Sequence, residues 1–253
     1  MDEVFVAQDS IVRKIWGKAD TVLFIFAGAA AEFALNKAVD WLYFTGRLPA
    51  DPLGRLFSTV AYARQIIFAK KDDALKAIDQ ITAIHQGVEK KRGTNIPDWA
   101  YRDVLFLLID YSIRSFELLE RQLTSEEKEE VFAVFRQVGS RMQLKGLPEN
   151  YREWVEMRDS HLHSDLVRSD FTDDLYRQYK KHLGPIRYRL VLQVQFKLAP
   201  AQVNKLLRLK KSFWFDPMLK LYKLSRLFKA DRVLKGALLP ADYKVRIMAL
   251  DTI

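Results

Sequence analysis

The stretch PDWAYRDVLFLLIDYSIRSFELLER, residues 97–121, leaves the chain few options. Val104, Leu105, Leu107, Leu108, Ile109, Ile113, Phe116 and Leu119 cover more than half the circumference of an α-helix. Such a helix has to be enclosed on most sides, and the partners this sequence offers are other helices. Helical periodicity dominates throughout, and no convincing strand-type alternation occurs. Segments 10–17, 21–45, 52–69, 72–91, 125–144, 148–163, 171–183, 186–197, 200–210, 213–229 and 240–250 read as the remaining helices. Their ends carry physical signals. Asp51 can cap a helix that has Pro52 in its first turn. Asp72 and Asp73 oppose the positive end of a helix dipole. The run LTSEEKEE (123–130) offers a hydroxyl cap followed by glutamates, a capping-box pattern. The expected fold class is all-α.

Nearly half of the 253 residues are apolar, and glycine and proline number only 10 and 8 without clustering. No stretch reads as a linker or a repeat, so a single compact multi-helix domain over 1–253 is expected. Cysteine is absent, which excludes disulfides, thiolate metal sites, cysteine nucleophiles and covalent haem attachment. It also fits a reducing, cytoplasmic location. The uninterrupted apolar run Val22–Ala31 is well short of the roughly 20 residues a spanning helix needs. A net charge of +9 suggests an anionic partner without choosing one. No nucleic-acid reading motif appears, and no Gly-rich phosphate loop or hydrolase motif is present.

Chemistry concentrates in two neighbouring segments. In AIDQITAIHQGVEKK (77–91), Ile78, Ile81, His85 and Val88 share one helix face, an imidazole among aliphatics. Such a histidine is either a satisfied core residue or an axial ligand for haem iron, which a neutral imidazole suits. In DPLGRLFSTVAYARQIIFA (51–69), Leu56, Val60, Ala63 and Ile67 form an apolar stripe. Arg55 and Thr59 lie four apart on the adjoining face, where Arg55 can clamp a carboxylate.

These two segments, followed by IPDWAYRDVLFLLIDYSIRSFELL and later GLPENYREWVEMRDSHL (146–162), resemble the catalytic domain shared by latex-clearing rubber oxygenases and MpaB-type oxygenases. The family pattern sets an arginine and a threonine four apart on one helix and a histidine on the next, matched here by Arg55, Thr59 and His85. The resemblance runs from about Ile15 to Leu209 and fades over the basic amphipathic residues 210–253. It implies a globin-related helical core with extra helices and non-covalent haem b, with His85 as the iron ligand and Arg55 and Thr59 lining the pocket. It further implies an oxygenase that uses dioxygen on a hydrophobic unsaturated, isoprenoid- or lipid-like substrate. Two departures stand out. The lysine that rubber oxygenases carry just before the threonine is Ser58 here. Their glutamate base has no secure counterpart, Glu32 and Asp40 being only nearby in sequence.

Three further groups invite a reading. Glu32, Asn36 and Asp40 lie four apart and can line a pocket, but a solvated face is the expectation. His161, His163 and Asp165 sit near a helix end; residues two apart diverge by roughly 200° on a helix, so surface positions are expected. Within 205–236, Phe213, Met218, Leu221, Leu224 and Phe228 can form an apolar side, with Lys220, Lys223, Arg226 and Lys229 along another. That side is expected to pack on the core, although basic amphipathic helices also lie on anionic membranes. The competing functional reading is therefore a non-catalytic helical module that binds lipid or a membrane surface, without haem.

Overall fold

A computed structural model of the chain describes residues 3–46 and 50–227. The apolar segment forms a helix, α6 (Asp98–Leu119), and most of its length is buried. Around it the described residues supply α1 (Ile11–Trp16), α2 (Ala19–Phe33), α3 (Asp40–Phe44), α4 (Pro52–Phe68), α5 (Lys71–Arg92), α7 (Ser125–Arg141), α8 (Tyr151–Ser164), α9 (Asp170–Leu198), α10 (Ala201–Leu207) and α11 (Phe215–Leu227). The fold is all-α, and no strand occurs among the described residues, only the isolated pairings Val4–Lys70 and Asn36–Leu166.

Helix α2 packs along α6 more extensively than any other pair. Gly28 makes that approach close, since a Cβ there would stand 2.3 Å from the Tyr111 ring. The main core gathers Ile15, Trp16, Ile25, Ile109, Phe116, Phe132 and Phe215 from five helices. Burial on this scale, at about 25 cal/mol per Å² of apolar surface, is what holds a disulfide-free chain together. The caps follow the sequence. Asp51 accepts from the Gly54 backbone with Pro52 in the first turn, and Thr124 and Glu127 form a reciprocal capping box. Helix α5 ends at Gly93, whose φ of +73° lets the chain leave in the left-handed conformation.

Several expectations need correction. Segment 21–45 is not one helix: α2 stops at Phe33, residues 34–39 turn, and α3 follows. The turn is held by Asn36, whose side chain accepts from the Ala38 backbone, and by backbone bonds with Asp165 and Val167. Segments 171–183 and 186–197 are the two arms of α9, interrupted at Gly184 (φ +71°) just before Pro185. Val104, placed in the core by periodicity, is 40% exposed.

Helix α11 packs on the core through Phe215, Leu219 and Tyr222, joined by Met218 from the expected side. Phe213, Leu221 and Leu224 face solvent, and Phe213 is 90% exposed. Arg226 turns inward instead, pairing with Asp20 and Glu120. The expected helix 240–250, Phe228 and Lys229 lie outside the described residues. No helix among the described residues is long and apolar enough to cross a membrane.

Candidate functional site

Helices α4 and α5 pack against each other, and α6 begins close to the end of α5. On α5, Ile78 is fully buried, while Ile81, His85 and Val88 are half-buried. The face that carries His85 is therefore covered at one end and only partly along the rest. The Nδ1 atom of His85 is itself buried and has no hydrogen-bond partner. Its ring meets Tyr101 of α6 edge-on, with 5.2 Å between centroids. Tyr101 is fixed in turn, because its hydroxyl donates to Glu89, which also accepts from the Ile96 backbone. Burial, helped by the nearby positive charge of Arg55 and opposed by Glu89, pulls the His85 pKa down to about 4. At neutral pH the ring is uncharged and keeps a lone pair.

Arg55 sits in the first turn of α4, and its guanidinium curls back over its own helix. It reaches the Ser58 hydroxyl at 3.2 Å and the Thr59 hydroxyl at 3.4 Å. Both hydroxyls donate to the Arg55 carbonyl, Ser58 at 2.7 Å and Thr59 at 3.2 Å. Arg55, Ser58 and Thr59 thus form one polar group on α4, and the field of Arg55 is felt at His85 on α5.

A second polar centre was not anticipated. Glu32 and Asn36, expected on a solvated face, are buried, and so are Asp103, Asp110, Arg158 and His161. Arg158 of α8 spans Glu32 and Asp110: one guanidinium nitrogen contacts Glu32 Oε1, and another reaches Glu32 Oε2 at 2.6 Å and Asp110 at 2.8 Å. Tyr111 donates to Glu32 at 3.0 Å. The His161 Nε2 atom lies 3.1 Å from Glu32, and its Nδ1 lies 2.6 Å from Asp103 and 3.3 Å from Asp165. Burial alone would raise the Glu32 pKa, but the charge and hydrogen bonds of Arg158, with His161, hold it near 2. Burial would lower that of His161, yet Asp103 and Glu32 raise it to about 9.

His161 is therefore not a surface residue, whereas His163 is exposed, as expected. Asp40 stands apart from Glu32 and Asn36 and pairs with Arg92, which also stacks over Trp41 at 4.0 Å. A sequence signal for this centre existed in part. His161 and Asp165 are four apart and share a helix face, a spacing more informative than that of the divergent His161 and His163. The other contacts of the centre join residues 48 to 129 apart and gave no local sign.

None of the curated proteins matches the chain. None of the solved structures matches it either. One family model matches, over residues 13–230, reaching past Leu209 through α11. That span includes Arg55, Thr59, His85 and the buried centre around Glu32. By this match the chain belongs to the family described as ER-bound oxygenase mpaB/B'/Rubber oxygenase, catalytic domain.

Proposed function

We propose that the chain is a haem b-dependent oxygenase acting on a hydrophobic, unsaturated, isoprenoid- or lipid-like substrate, with His85 as the iron ligand. The observation that carries the reading is the buried, unpartnered Nδ1 of His85. A buried polar atom without a partner costs about 1–3 kcal/mol, and a buried imidazole that merely filled space would ordinarily find one. The donor set fits haem. The ring is kept neutral, its plane is held by Tyr101, and a cation lies close by in Arg55.

Bound haem supplies the chemistry with dioxygen. The chain's residues do the rest. His85 presents its lone pair without first losing a proton, because burial and Arg55 already keep it neutral. Arg55 offers a forked cation that suits a propionate carboxylate. Thr59, whose own proton goes to the Arg55 carbonyl, offers its hydroxyl oxygen as an acceptor to water. Ile81 and Val88 line the His85 face with apolar surface, which excludes water and suits an alkene. Ser58 brings no amine where rubber oxygenases have lysine, and its hydroxyl is committed to the Arg55 carbonyl. This favours a smaller substrate than polymeric rubber.

A second reading has its own observation. Trp214, Pro217, Leu221 and Leu224 form an exposed stripe on and just before α11, next to the exposed Phe213, Lys210, Lys211 and Lys220. Apolar groups ringed by lysines suit contact with an anionic membrane surface. That contact serves an enzyme with a lipid substrate and equally a non-catalytic binding protein.

One experiment separates them. Purified protein reconstituted with hemin is expected to show a Soret band, weakened or shifted in His85→Ala. Folded protein that stays colourless with hemin overturns the oxygenase reading. If that protein also sediments with anionic vesicles, the non-catalytic reading stands.

A further inference from the structure

Between α6 and the end of α8, three potential ligand atoms converge. They are Asp103 Oδ1, His161 Nδ1 and Asp165 Oδ2, all within 4.8 Å of one another. Asp103 and His161 are buried, while Asp165, which caps the C-terminus of α8, keeps about a quarter of its side chain in solvent. The group is thus closed on its protein side and open to an entering ion through Asp165.

Residues outside the trio hold each ligand in place. Glu32 stands 3.1 Å from His161 Nε2, so a proton on that nitrogen is bonded to a carboxylate, while the proton that Nδ1 shares with Asp103 at 2.6 Å is the one an entering cation displaces. A carboxylate behind a histidine is the usual outer partner of a metal-binding imidazole. Asn36 donates to the second oxygen of Asp103 at 2.9 Å, which turns the first toward His161. Asp165 is fixed by backbone bonds: its N–H donates to the His161 carbonyl, and its own carbonyl accepts from Lys37.

Charge gives an independent reason for a cation. Glu32, Asp103, Asp110 and Asp165 bring four carboxyl groups into this linked network, and Arg158 and Arg114 bring two guanidinium groups. Lys37 is exposed and donates to the Ser164 carbonyl. The carboxyl groups of the network thus outnumber its guanidinium groups by two, a surplus that a divalent cation offsets. Buried charges left uncompensated are costly, and a deficit of this kind selects for a counter-ion.

We propose that Asp103, His161 and Asp165 bind one divalent first-row metal ion, at a centre separate from the His85 site. One nitrogen and two carboxylates, with room for water on the exposed side, suit zinc or manganese. The proposal does not rest on the haem reading. The two centres use different residues of α6, and each can fail without the other.

The test uses the full chain, stripped of metal with a chelator, and titrates it with zinc and with manganese. Cobalt serves as a spectroscopic substitute. One equivalent of zinc or manganese is expected to bind, with visible d–d bands for cobalt. Affinity should fall by roughly tenfold or more in Asp165→Asn, in line with losses seen when metal-site partners are removed. Asp165 keeps a quarter of its side chain in solvent and Asp165→Asn retains its backbone bonds, so an unchanged circular dichroism spectrum certifies the fold. His85→Ala should leave the zinc affinity unchanged. Absence of saturable binding by folded protein overturns the proposal and leaves a proton on His161. Binding that survives Asp165→Asn undiminished overturns it too, because the ion then sits elsewhere.

Discussion

The chain holds a half-buried and a fully buried imidazole in opposite surroundings. His85 lies among aliphatic residues and one aromatic edge, with a buried nitrogen that nothing satisfies. His161 has carboxylates at both nitrogens, Glu32 on one side and Asp103 with Asp165 on the other. The first is pushed toward neutrality and the second toward the cation. The lesson is that residue type fixes a menu of roles and the neighbourhood chooses. A ring with a spare lone pair is equipped to ligate. A ring clamped between anions stabilises the fold or, after losing a proton, shares a cation with them.

The largest way to break this contrast is at Arg158. Arg158→Met should cost about 3–5 kcal/mol, because Glu32 and Asp110 are then left buried without their cation. Denaturant unfolding measures it, and a change under 1 kcal/mol would mean the network is better hydrated than its burial implies. His85 shares no contact with this network and should keep its hemin response wherever the variant folds.

A smaller disturbance is Gly28→Ala. The new methyl would meet the Tyr111 ring at 2.3–2.4 Å and displace the hydroxyl that supports Glu32. Overpacking of this kind costs about 1–3 kcal/mol. Thermal melting should show it, and an unchanged midpoint would place slack where the structure has contact.

The finest test sharpens the contrast through pH in metal- and haem-free protein. His85 titrates near 4 when folded and about 6.5 when unfolded, so its neutral form contributes stability above about 6.5. That contribution is lost as pH falls through 4. His161 titrates near 9, so its charged form contributes stability below about 6.5, lost as pH rises through 9. Imidazole C2–H resonances followed by NMR should therefore give two well-separated midpoints. Coincident midpoints near 6.5 would erase the distinction.

How legible these regions were in sequence differs in an instructive way. Caps and breaks such as Asp51–Pro52, Thr124–Glu127 and Gly184–Pro185 act over a few residues, so local chemistry reveals them. The motif of Arg55, Thr59 and His85 was readable because its members recur at short spacing. The buried centre was not. Glu32 and Asn36 looked like a solvated stripe because Arg158, His161, Asp103 and Tyr111, which justify their burial, come from distant segments. The end of α2 was missed for the same reason. Residues 34–39 leave the helix to pair with 165–167, a tertiary bond that no window over 21–45 contains.

One feature of α6 keeps the two environments apart. Tyr101 touches the His85 ring and Asp103 touches His161, two residues apart and on nearly opposite flanks of one turn. The backbone of a helix stands between side chains that leave it in opposite directions. Each imidazole therefore answers to its own guest, with a single turn of α6 as the partition.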